Sequence, residues 1–70
     1  MNKELALAVA AETGDDPDKV EAVVRAHQNN YPGSWRDWEM AEKVPSMVKL
    51  MRTARDAKET SPERIARLDW

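Results

Sequence analysis

The side chains able to do chemistry are few, and their spacing does not let them cooperate. Nucleophilic catalysis needs a nucleophile held against a base, with a third group orienting that base. The chain has one histidine, His27, and no cysteine. Its serines, Ser34, Ser46 and Ser61, all fall where a helix is expected to be capped. Gly14 and Gly33 are the only glycines, so no glycine-rich phosphate loop can form. Asp15, Asp16 and Asp18 cluster as in a metal-binding loop, but the alternating spacing, central glycine and distal glutamate of a calcium loop are missing. Carboxylates at a helix start are explained by the positive end of the helix dipole. The expectation is a protein with no catalytic residue, no metal ligand set and no cofactor, hence not an enzyme.

What stands out instead is a run of cations. Between Lys43 and Lys58 lie five basic residues against one acid, whereas residues 1–24 hold six acids and two lysines. Lys49, Arg52 and Arg55 are spaced i, i+3, i+6, which lays them along one flank of a helix. The plain reading is a solvated face with cations near a helix C-terminus. The sharper one is a contact for an acidic partner or a phosphate backbone. Trp35 and Trp38, spaced i, i+3, read first as core, because there is no Phe and only one Tyr to supply aromatic burial. Tryptophan is also enriched at binding hot spots, so Trp35 and the terminal Trp70 join Lys49, Arg52 and Arg55 as candidate partner-binding residues.

Helices must carry these groups. Leu5 and Val9, flanked by Ala6 and Ala8, predict a helix over 3–13, while Leu7, Ala10 and Ala11 fall on its other side. A helix apolar on most sides is buried on most sides. It sits centrally or packs against a second copy of the chain, which makes a homodimer through this helix an expectation. Gly14 ends it. Asp16 as N-cap and Pro17 as first residue open a helix over 17–29. Val20, Val23, Val24, His27 and Tyr31 give it an apolar stripe, in which His27 reads as a partly buried neutral imidazole with a backbone or Tyr partner.

Tyr31-Pro32-Gly33-Ser34 then reads as a type II turn followed by an N-cap at Ser34, opening a helix over 35–43. Pro45 is expected to separate it from another over 46–58, since an interior proline costs ~3 kcal/mol; one kinked helix is the alternative. Met40, Met47 and Met51 are flexible gap fillers, and at least two of them are expected in the core. Ser61-Pro62-Glu63 opens the last helix, 62–68.

Length and composition set the bounds. Seventy residues make one domain, 1–70, with a thin core and no disulfide to support it. The formal net charge of −2 argues against a general nucleic-acid binder. No apolar run approaches the ~20 residues needed to cross a bilayer. The Leu5–Ala11 run is too short for a signal-peptide core, so a cytoplasmic protein with no membrane association is expected.

Two partial resemblances appear. Met1-Asn2-Lys3, Leu5, Ala8-Val9-Ala10, Thr13-Gly14, Val20 and Val23-Val24 resemble the N-terminal helical hairpin of bacterial histone-like proteins of the HU/IHF type, over residues 1–26. Leu5 stands one position early, and no later stretch looks like that family's β-arms or DNA-contacting residues. In that family the hairpin forms the base of a dimer, so the resemblance implies packing against a second chain and transfers no DNA-binding residue. Over residues 4–44, Thr13-Gly14, Val20, Val23-Val24, Asn29-Asn30 and Ala41 are similar to the three-helix ubiquitin-associated-like fold, with Pro32 and the second Trp departing from it.

The fold class expected is all-α, a compact orthogonal bundle of four to five short helices. The function expected is a non-enzymatic module that binds a protein partner. The alternative is a small DNA-binding regulator, in which two helices flanking Pro45 make a helix-turn-helix and Lys49, Arg52 and Arg55 contact phosphates.

Overall fold

A computed structural model of the chain describes residues 2–68. It contains α1 (Asn2–Thr13), α2 (Pro17–Asn30), α3 (Pro32–Asp37), α4 (Met40–Asp56) and α5 (Pro62–Ile65), with no strand among the described residues. The all-α bundle expected from the helical repeat is what forms.

The strong punctuation acts where it stands. Gly14 leaves α1 at φ +80°, a conformation that disfavours any side chain, and no neighbour lies close enough to crowd one. Asp16 caps α2, its carboxylate accepting the Asp18 N–H at 3.0 Å, and Pro17 opens the helix. Pro62 likewise opens α5, which is shorter than expected; single tight turns carry the chain from Ala66 to Leu68.

The middle of the chain differs from expectation at two points. Pro32 and Gly33 do not form a turn ahead of Ser34. Pro32 is the first residue of α3, Tyr31 is its cap, and Ser34 lies inside the helix. Poor helix formers are tolerated there because the first N–H groups of any helix lack intrahelical acceptors. Tyr31 serves both neighbours: its N–H donates to the His27 carbonyl at 2.9 Å, and its carbonyl accepts the Trp35 N–H at 3.3 Å.

The second difference is at Pro45, which lies inside a continuous 17-residue helix. The break falls earlier, at the extended residues Trp38 and Glu39. The proline deprives the Ala41 carbonyl of its N–H partner, but both residues are exposed, where water can serve that carbonyl. Beyond the proline, Met47, Leu50 and Met51 are each at most 2% exposed. At ~1.5–3 kcal/mol per large side chain, their burial outweighs the ~3 kcal/mol proline penalty. The two-helix unit around Pro45, on which the helix-turn-helix alternative rested, is therefore not formed.

At its far end α4 closes with Lys58 in the left-handed conformation, φ +55°. The Glu59 N–H reaches back to the Ala54 carbonyl at 2.9 Å, a glycine-type helix stop built without glycine.

The core gathers Leu5, Ala6, Val9 and Ala10 of α1, Val20, Val23 and Val24 of α2, Trp35 of α3, five residues of α4, and Ile65 beside α2. Met47 and Met51 belong to it, whereas Met40 is exposed. α1 and α4 run in the same direction. Asn2 and Leu5 share a cleft with Met40 and Lys43 at one end, and Thr13 meets Arg55 at the other. α2 runs back along α1, fastened where the Asn2 and Gln28 amides exchange hydrogen bonds of 2.8 and 2.9 Å.

Candidate interaction surface

The basic flank read from the sequence splits in two. Lys49 and Arg52 are exposed, and neither forms an ion pair among the described residues. They line an open groove of about 580 Å³ between α1 and α4, together with Pro45, Val48, Thr53, Asp56 and Glu12. Its apolar lining is Pro45, which is exposed, and Val48, which is buried in the core at 6% exposure. Thr53 is held in place by a 2.9 Å hydrogen bond from its hydroxyl to the Lys49 carbonyl.

Arg55 turns the other way. Its guanidinium donates to the Thr13 carbonyl and to the Asp15 carboxylate, the latter at 3.3 Å. A cation thus satisfies a last-turn carbonyl of α1 and offsets the negative end of its dipole. Arg55 ties the C-terminal ends of α1 and α4 together, a structural task that removes it from the groove. Six residues of helix turn a side chain by ~600°, so Arg55 lies roughly 120° around α4 from Lys49. That angle is enough to cross from one side of α1 to the other.

Trp35 is also not an exposed anchor. It is 7% exposed, and its indole N–H donates to His27 Nδ1 at 2.8 Å. The two rings meet edge to face at 5.9 Å, Tyr31 lies tilted over the imidazole at 4.7 Å, and the Lys43 ammonium sits 5.1 Å from the Trp35 ring. Indole can only donate, so Nδ1 must carry a lone pair and the neutral ring holds its proton on Nε2. Burial pushes the His27 pKa down to about 4. His27 is fully rather than partly buried, and the partner at Nδ1 is a tryptophan eight residues on, not a backbone group or Tyr. Trp70 lies outside the described residues.

No family model matches this chain, and neither a curated protein nor a solved structure matches it.

Among the described residues, no three His, Cys, Asp or Glu side chains converge as metal ligands. No helix among them is long and apolar enough to cross a membrane. The groove was legible in part: Lys49 and Arg52 were marked by their spacing. Glu12, which lines the groove from α1, gave no signal, because its place depends on how α1 crosses α4.

Proposed function

We propose that this chain is a non-enzymatic interaction module that binds a protein partner across the face formed by α1 and α4. One observation carries the reading. Among the described residues Lys49 and Arg52 have no ion-pair partner, and they line an open groove with Pro45 and Val48, while nearby Arg55 is engaged within the fold. Cations at the edge of an apolar depression suit steering and registering a partner, since rim charges act on encounter and specificity. The other conspicuous polar group, His27, is sealed in the core with its lone pair engaged by Trp35, so it is not presented to a substrate.

The partner is taken to be a different protein. The outer face of α1, considered for self-association, offers Leu7 as its one large exposed apolar side chain, beside Ala8 and Ala11. That is far short of the ~800 Å² per partner of a standard interface.

The test is photo-crosslinking in the source cell from position 53, inside the groove, and from position 25, on the exposed side of α2. The expected result is a covalent adduct of defined mass from position 53 alone, lost when Lys49→Glu and Arg52→Glu are combined. No adduct, or the same adducts from both positions, refutes the reading.

A further inference from the structure

We propose that the occupant of the α1–α4 groove is an amphipathic helix of the partner protein, about three turns long. Its apolar stripe lies over Val48 and Pro45, its carboxylates meet Lys49 and Arg52, and a basic side chain meets Glu12 and Asp56. This deepens the reading above and rests on it.

The shape argues for a helix. Two helices running in the same direction leave a straight trough between them, and a third helix fills such a trough by setting its side-chain ridges into it. From Pro45 to Asp56 the α4 wall measures about 16 Å, the length of about eleven helical residues.

The charge argues for its pattern. Along the groove the cations come first, Lys49 one turn from Pro45 and Arg52 past the middle; Asp56 follows one turn beyond Arg52, and Glu12, next to the Thr13 that meets Arg55, lies at that same end. Arg52 and Asp56 are placed i, i+4 on one helix, yet no ion pair joins them among the described residues. The complement is a helix carrying opposite signs at its two ends, because like charges facing each other across an interface are strongly disfavoured. A nucleic-acid backbone, uniformly negative, would meet Glu12 and Asp56 with the wrong sign.

The test uses the ¹⁵N-labelled full chain and three synthetic helical peptides of about fourteen residues. The first has a leucine stripe with glutamates flanking one half and lysines the other. The second has the same composition scrambled, and the third carries lysine flanks throughout. The expected result is saturable shifts for the first peptide at the amides of Glu12 and of residues 46–56, with binding at least tenfold weaker for the scrambled one. The combined Lys49→Glu and Arg52→Glu chain should lose at least tenfold affinity for the first peptide and gain affinity for the third. Equal binding of the first two peptides, shifts elsewhere on the fold, or no gain by the third on the charge-reversed chain overturns the inference. A position-53 adduct without binding of the first peptide removes the helix inference alone, whereas the absence of any adduct removes the docking surface itself.

Discussion

Acidification should destabilise this protein through His27. The imidazole is fully buried, and burial lowers its pKa from 6.5 to about 4. Protonation would turn Nδ1 into a donor facing the Trp35 indole donor, so the folded state resists it. Between pH 6.5 and 4 the unfolded chain therefore binds more protons at this site than the folded chain. Stability then falls with falling pH; the contribution is level above 6.5 and fully lost below 4. From pH 7 to pH 5 the loss is about 2 kcal/mol, reaching about 3 kcal/mol at pH 4. For a chain whose total stability is on the order of 5 kcal/mol, that is a large fraction. Urea denaturation at pH 7, 6 and 5 measures it, with His27→Asn as the control: the amide oxygen can still accept from Trp35 and does not titrate. The control should lose little stability over the same interval. A direct readout is the His27 Cε1–H resonance of the folded protein, which should not titrate above pH 5. Equal pH slopes in the two proteins, or a folded-state midpoint near 6.5, would refute the reasoning.

Four further outcomes follow from the same contacts. Trp35→Phe removes the donor to Nδ1 and leaves a buried acceptor unsatisfied; a loss of ~1–3 kcal/mol is expected by thermal melting, or ~4–8 °C per kcal/mol at this size. Pro45→Ala returns an N–H to the Ala41 carbonyl on an exposed stretch of α4. It should raise stability by about 1–2 kcal/mol in urea, after allowing for the freer unfolded chain. Arg55→Ala should cost about 1 kcal/mol, while Arg52→Ala should stay within ~0.5 kcal/mol of the parent, because only Arg55 is bonded into the fold. Lys58→Gly should gain up to about 1 kcal/mol, because glycine takes the left-handed stop of α4 without the penalty a side chain brings; parallel urea curves would expose the opposite sign.

How far the fold was legible depended on whether a signal was local. Gly14, Asp16-Pro17 and Ser61-Pro62 each have one good structural use, and each marks a real boundary. The stripe Val20, Val23, Val24, His27 was equally plain, because α2 is polar on its other side. Pro32 and Pro45 were ambiguous, because proline is good both in a turn and at a helix start, and survivable inside a helix whose far half is well buried. Met47, Leu50 and Met51 decide the second case, and their burial is a property of the assembled core. The break at Trp38-Glu39 carries no breaker residue. It arises because Trp35 must reach His27 on α2 while α4 lies along α1, so the chain has to change direction between them. The candidate surface followed the same rule. Lys49 and Arg52 were found by spacing on one helix, whereas the engagement of Arg55 with Thr13 and Asp15 spans some forty residues of chain and leaves no local trace.

The one-residue joint at Tyr31 makes the α2–α3 corner intolerant of length change. Each residue added or removed there would swing the whole of α3 by ~100° about its axis and slide it by ~1.5 Å. The indole would then miss the imidazole, and no slack exists on either side to absorb the error. The stretch between Glu59, which completes the stop of α4, and Ser61, which precedes α5, has no helical phase to keep and is where evolution or engineering is free to lengthen this chain.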